Sequence, residues 1–541
     1  MEQQLVETQP ESPATVEEFE PVPVRSGKSP RPGHLRRTGR FLARVFGPGE
    51  LRTGGFLLPA ILAGLVSAIA MIVRLFVPGP VGMGDQGEGH ALICSLGVSN
   101  VRPWDYGEFT SFIYPSWVPH EFVGEACGSA GSGEPVYSSQ LAFLWLGKLI
   151  TPLLGWGAGM DMRAVGIVCC LVFGALIAAL VAALPGRANF RILIAALVTV
   201  VMADGVFADF FISPYPEAAA FLGILALMVA LLHYWNGGGN SWLAVAFVVA
   251  AGAFTLAAKP EMVSWLPLLA LGLLWLPAGP SRRSGRRLPQ KTWWRKRVLP
   301  LTAVVAVAAM SVAVFALQPK RTTDVNLYNA VFAELLPHSP VPEDDLKWLG
   351  LDPGFLAASG TTVASPKSAA LNPKFNEFQE QIGPAKLAAF YATHPERLIG
   401  MGERGISAML TPELGYVGSF MEGQGHEPFA KDRRFPVVLG FFTAMKAAPV
   451  ALVALQLLTL MLGLAVAFRK GAAVGRLAVV VVLGGWLQFW VVMVMSGQPE
   501  IYRQLVVSGF LGALCVPLLV ALISILASNK AVPKDLAAAA R

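Results

Sequence analysis

The residues best suited to chemistry lie in a short glycine-rich stretch, Gly82-Met83-Gly84-Asp85-Gln86-Gly87-Glu88-Gly89-His90, where two carboxylates precede an imidazole. Glycine lets a backbone approach a ligand closely. A carboxylate partly withdrawn from water has its pKa raised towards the range in which it accepts a proton from a hydroxyl group. Asp85 and Glu88 are therefore candidate general bases, with His90 as a candidate substrate contact. An ordinary polar turn is the competing structural reading.

Further downstream come Asp204 and then Asp209-Phe210-Phe211-Ile212-Ser213-Pro214-Tyr215-Pro216-Glu217, with Glu217 opening an apolar run. Asp209, Tyr215 and Glu217 are candidate substrate contacts, since acids near the ends of membrane spans are uncommon without a role. An acid in the first turn of a helix also complements its dipole, so a structural role for Glu217 stands beside the functional one. Ala257-Ala258-Lys259-Pro260-Glu261 and Ser496-Gly497-Gln498-Pro499-Glu500-Ile501-Tyr502-Arg503-Gln504 each place a base beside an acid in a short connection. Lys259 and Arg503 suit a lipid phosphate, one as a point charge and the other as a two-pronged clamp. Glu261 and Glu500 join the candidate substrate contacts. Snorkelling of Lys259 at a helix end and pairing of Glu500 with Arg503 are the structural alternatives.

The elements that must position these residues follow from composition. Of 541 residues, 54% are apolar and 14% charged, against about a quarter charged in a soluble domain. Too few charges remain to cover a water-facing surface, which excludes a soluble enzyme or a nucleic-acid binder. The five cysteines are too few for a disulfide framework. The fold class is an all-α polytopic membrane protein.

Apolar windows predict about ten transmembrane helices near 54–77, 162–184, 190–208, 217–235, 242–258, 262–279, 298–318, 445–468, 476–496 and 504–527. Residues 1–52 read as a disordered, basic cytoplasmic tail, acidic before Arg25 and basic from there on. The loop 280–297 carries Arg282, Arg283, Arg286, Arg287, Lys291, Arg295, Lys296 and Arg297 without an acid. With the tail inside and ten spans, that loop lands in the cytosol, as the positive-inside rule requires. The run Leu141–Leu154, too short to span, is assigned to a helix in the outer interface. The expected organisation is an N-terminal transmembrane module at 53–318 with a first outer loop at 78–161, a large outer loop at 319–444, a C-terminal transmembrane module at 445–527, and a cytoplasmic tail at 528–541. The run Gly383 to Leu410 suggests interfacial helices in the large loop.

On this topology the bases mark the cytosol and the acids gather on the outer face of the cell membrane. Activated nucleotides are cytosolic, so an outer-face transferase needs a donor that has crossed the bilayer, and a polyprenyl phosphate carrying a sugar meets that need. Cys94 and Cys127 share the first outer loop, whereas Cys169, Cys170 and Cys515 lie in spans and read as packing. No histidine pair has metal-ligand spacing on one helix. His394, Arg397 and Arg404 in the large loop are candidates for an acceptor site, with solvated surface as the alternative.

This arrangement resembles the GT-C superfamily of integral-membrane glycosyltransferases, in which the first outer loop bears the catalytic acid, and more closely the bacterial glycan biosynthesis hexosyltransferase family. The resembling stretches are the Gly84-Asp85 turn, Tyr137-Ser138-Ser139-Gln140, Ser213 to Glu217, Lys259-Pro260-Glu261, Asn326 to Phe332, Leu349-Gly350-Leu351-Asp352-Pro353 and Arg503-Gln504-Leu505. The resemblance implies an inverting transfer of a hexose from a polyprenyl-phosphate donor to a cell-envelope glycan or lipid-linked acceptor. Asp85 or Glu88 would be the base, and Lys259 and Arg503 would bind the donor phosphate. No cofactor is fixed by these motifs; the transfer is metal-independent or assisted by a divalent cation, Mg or Mn. Many superfamily members have adjacent acids in this loop, whereas Asp85 and Glu88 stand three apart, so either is a candidate base. Two other functions compete: a transporter or flippase of lipid-linked sugars, and an O-antigen-ligase-like or polymerase enzyme using the large loop.

Overall fold

Between Leu57 and Phe76 the only charge is Arg74, and this apolar run forms helix α1 (Leu57–Phe76) in a computed structural model of the chain. The structure describes residues 57–84, 92–103, 105–119, 137–157, 159–236, 242–275, 290–316, 320–412, 414–469, 471–497 and 501–530. The remaining bundle helices are α2 (Gln140–Ile150), α3 (Met162–Ala183), α4 (Ala188–Ala203), α5 (Gly205–Ala208), α6 (Glu217–Asn236), α7 (Trp242–Leu256), α8 (Leu266–Leu274) and α9 (Gln290–Ala316). After the large loop come α14 (Val437–Met445), α15 (Val450–Ala467), α16 (Ala472–Met495) and α17 (Ile501–Lys530). Within that loop lie α10 (Lys320–Tyr328), α11 (Pro342–Leu349), α12 (Pro384–Thr393) and α13 (Glu396–Met409).

Each of the expected apolar segments is helical, but they differ in length. Among the described residues six helices, α1, α3, α6, α15, α16 and α17, are long and apolar enough to cross a membrane, and α4 with its continuation to Ile212 makes a seventh if the bent pair counts as one span. At 1.5 Å per residue the 15 residues of α7 reach about 22 Å, short of the ~30 Å hydrocarbon thickness. The expected 262–279 span is a 3₁₀ stretch, Pro260–Trp265, followed by the nine-residue α8. The expected 190–208 span bends by 69° after Ala203. Asp204 leaves the helical conformation there and its carboxylate caps α5 by accepting from Val206 N at 3.1 Å. Pro449 sets the start of α15 at Val450, a few residues beyond the expected 445.

Small residues bring the spans together. A Cβ on Gly64 of α1 would lie 2.5 Å from the carbonyl oxygen of Gly174 in α3, and one on Gly475 of α16 would lie 2.6 Å from Gly463 O in α15. Helix α6 is the most enclosed span, with 89% of its apolar window buried, and it packs on α3, α7, α16 and α17. Its first residue, Glu217, therefore sits at the end of the bundle's central helix.

Two small sheets lie in the connections. β1 (Val81–Met83) pairs antiparallel with β5 (Val417–Phe420), matching Val81 with Phe420 and Gly82 with Ser419. β2 (Val98–Asn100), β3 (Ser116–Pro119) and β4 (Met160–Asp161) form the other. The connection after α1 and the large loop are thus joined by strand pairing, which hydropathy does not reveal. The large loop has its own aromatic core, in which the Tyr328 hydroxyl accepts from Ala369 N at 2.7 Å and Phe332 packs on Phe378. The run expected to hold helices, Gly383 to Leu410, does so as α12 and α13.

Candidate active site

Glu217, Lys259 and Arg503, far apart in sequence, meet at the end of α6. Lys259 Nζ lies 2.8 Å from Glu217 Oε1 and donates to Gln504 Oε1 at 3.0 Å. Arg503 Nε lies 3.8 Å from the same Glu217 oxygen, and its guanidinium stands 4.9 Å over the Tyr215 ring. All four charged or aromatic side chains are nearly inaccessible, between 1% and 6% exposed. Local chain geometry explains the convergence. Pro216 precedes the helix start at Glu217, Pro260 begins the 3₁₀ stretch directly after Lys259, and Arg503 is in the first turn of α17.

The short apolar helix α2 closes one side. Gln140 Oε1 accepts from Ala219 N at 3.1 Å, and Ser138 Oγ donates to Ala258 O at 2.7 Å. The stretches Tyr137 to Gln140, Ser213 to Glu217, Lys259 to Glu261 and Arg503 to Gln504 therefore form one structural neighbourhood. Glu261 is buried beside Lys259, and one oxygen of each carboxylate, Glu261 Oε2 and Glu217 Oε2, has no hydrogen-bond partner among the described residues. Burial alone would push the Lys259 ammonium down; Glu217, then Glu261, more than reverse this, and its pKa stands above the ordinary lysine value.

Asp209 is held differently. It pairs with Arg74 at 3.3 Å, while the other arm of Arg74 reaches Asp432 at 2.6 Å and Asp432 pairs with Arg434 at 2.8 Å. This alternating chain ties α1, the turn after α5 and the large loop together. Asp204 adds a second tie, accepting from Val438 N and Leu439 N at 2.6 and 3.1 Å, at the start of α14. The sequence reading overlooked Arg74, Asp432 and Arg434. A signal existed for Arg74, the lone charge of an otherwise apolar span.

Asp85, Glu88, His90, Cys127 and Glu500 lie outside the described residues. The chain leading to Asp85 is nevertheless fixed. Gly84 N donates to Tyr416 O at 2.8 Å, and a Cβ on Gly84 would come within 2.5 Å of Thr110 O. A Cβ on Gly82 would meet Ile212 O at 2.6 Å. The residue preceding Asp85 is thereby clamped between the first connection and β5, with the 209–212 turn beneath β1.

In the large loop, Arg404 pairs with Glu334 at 2.5 and 3.0 Å, and Arg397 with Asp345 at 3.2 Å. His394 stacks on Phe390 with ring centres 4.5 Å apart. Cys169, Cys170 and Cys515 are buried free thiols. No group of His, Cys, Asp and Glu among the described residues is arranged to hold a metal ion. A family of multi-pass membrane domains, described as "YfdI N-terminal transmembrane domain", has a sequence model that matches residues 51–537. No curated protein and no solved structure matches.

Proposed function

This chain belongs to the YfdI N-terminal transmembrane domain family, and from that premise we propose that it is a membrane glycosyltransferase of GT-C type. It transfers a hexose from a polyprenyl-phosphate donor to a cell-envelope glycan or lipid-linked acceptor, on the outer face of the cell membrane, with both termini in the cytosol. The observation that carries this reading is the buried Lys259–Glu217–Arg503 cluster, in which two cations share one carboxylate at the end of the central helix. Lys259 and Arg503 are already desolvated there, and a phosphate would compete with Glu217 for both cations.

In the reaction, the acceptor hydroxyl oxygen attacks C1 of the donor hexose and the bond from C1 to the phosphate oxygen breaks with inversion. The departing polyprenyl phosphate keeps the electron pair, and Lys259 and Arg503 balance its charge, a contribution worth about 10²–10³ in rate per donor. Asp85 or Glu88 takes the hydroxyl proton, worth about 10²–10⁴. Asp85 directly follows Gly84 in the sequence, and Gly84 is held between Thr110 and β5. A divalent cation, if required, would draw its carboxylates from Asp85 and Glu88; activity in excess EDTA separates the metal-assisted from the metal-independent form. The test is transfer from a radiolabelled polyprenyl-phosphate hexose in proteoliposomes. Substituting whichever acid is the base, as Asp85→Asn or Glu88→Gln, abolishes transfer without loss of folded protein, and full activity in both variants rejects the reading.

A further inference from the structure

The chain departs from regular α-helix geometry most clearly at Asn329–Leu335, a seven-residue π-helix continuing α10. Such segments are rare and concentrate at functional sites. Within it Glu334 is fully buried in the run Ala330-Val331-Phe332-Ala333-Glu334-Leu335, with Oε1 on Arg404 and Oε2 without a hydrogen-bond partner among the described residues. Glu334 borders a half-open cavity of about 160 Å³, which is also lined by His338, Tyr391, Arg397 and Arg404. Tyr391 is 4% exposed and its hydroxyl likewise has no partner among the described residues. Burial, and then the nearby Glu334 carboxylate, hold its pKa above the ordinary tyrosine value, so it stays a neutral donor.

Charge and size identify the ligand class. Among the lining residues Glu334 and Glu396 offset Arg397 and Arg404, so the walls carry no net charge, and an anion entering would face the Glu334 carboxylate. Carboxylate, phenol and guanidinium groups around a small space instead match the alternating donors and acceptors of a polyol. A cavity of roughly 150 Å³ takes one six-membered ring, so the space suits one sugar residue rather than a chain. The other end of the π-helix touches the connection that leads to Arg503, since a Cβ on Gly497 would lie 2.5 Å from Asn329 O. Glu334 is five residues further on in the same π-helix.

We propose that the cavity beneath this π-helix is a subsite for one neutral hexose residue of the acceptor, hydrogen-bonded by Glu334 and Tyr391. Its assignment to the acceptor rests on the transferase reading above; recognition of a hexose does not. The test uses the full chain in nanodiscs, titrated with methyl glucoside, methyl galactoside, methyl mannoside and inorganic phosphate, with binding followed by saturation-transfer NMR. At least one hexoside binds saturably. Tyr391→Phe, which removes a single oxygen, weakens it about five-fold; Glu334→Gln weakens it ten-fold or more; phosphate does not compete. The subsite is overturned if no hexoside saturates, if Tyr391→Phe binds as tightly as wild type, or if phosphate displaces the sugar. Loss of transfer in Asp85→Asn with hexoside affinity insensitive to Tyr391→Phe rejects the subsite and keeps the transferase. The expected affinity losses in a protein that transfers no hexose keep the sugar site and reject its acceptor role.

Discussion

Replacing Glu217 and Lys259 separately and together distinguishes a scaffold from a phosphate site that is also a scaffold. The two attractions on Glu217 Oε1, from Lys259 at 2.8 Å and Arg503 at 3.8 Å, come to about 6 and about 4 kcal/mol at an effective dielectric of about 20. Desolvation of several kcal/mol per ion opposes them. Glu217→Gln removes both attractions and leaves two buried cations with Glu261 as their remaining carboxylate, whereas Lys259→Met leaves Glu217 with Arg503. Breaking a buried pair costs about 3–5 kcal/mol, so Glu217→Gln belongs at the upper end and Lys259→Met at the lower. The double variant, which leaves Arg503 over Tyr215 with Glu261 nearby, costs at least about 2 kcal/mol less than the sum of the single changes. Denaturant unfolding in detergent micelles reads these values, and donor turnover is measured on the same samples. Stability is partly restored in the double variant, but turnover stays down about 10²–10³ because a phosphate contact is gone. Additive single effects refute the shared-carboxylate cluster, and turnover that recovers along with stability refutes the phosphate role.

Arg74→Met takes the Arg74 pair from Asp209 and leaves Asp432 to Arg434; it lowers stability by about 3–5 kcal/mol, read as loss of the folded fraction in the same unfolding assay. Gly84→Ala drives a Cβ into Thr110 O and so displaces the chain before Asp85; transfer falls ten-fold or more, while unfolding moves by about 1–3 kcal/mol. Asp204→Ala deletes three charge-assisted bonds from Val206, Val438 and Leu439; it costs about 3 kcal/mol or more and speeds proteolysis near α14. The raised Lys259 pKa sets a pH sign. Its contribution to stability is fully present below the ordinary lysine value of about 10.4 and declines as pH rises through the folded value. A wild-type protein that loses this contribution between pH 7 and 9 contradicts the pairing with Glu217.

Helix positions were legible because apolar runs such as Val450–Ala467 and Ala472–Met495 carry the signal residue by residue. Lengths were less so. Asp204 looked like a charge inside a span, yet its carboxylate caps α5 and α14 and bends the chain, an outcome that depends on backbone groups more than two hundred residues away. Lys259, Arg503, Glu217 and Tyr215 were identifiable from residue type and position at span ends. Their partner choice was not, because Glu217 and Lys259 belong to different connections and nothing local to either names the other. Arg74 and Glu334 each stood alone in an apolar run, a pattern that marks a buried charge without saying what neutralises it.

The most direct measurement of the central claim follows a double-labelled polyprenyl-phosphate hexose, tagged in sugar and lipid, in proteoliposomes holding the purified protein and an acceptor. The account predicts that hexose moves to acceptor with one polyprenyl phosphate released per transfer, and that the double variant Asp85→Asn/Glu88→Gln releases none. Donor that crosses the bilayer with both labels still joined, or transfer that persists in the double variant, would contradict it.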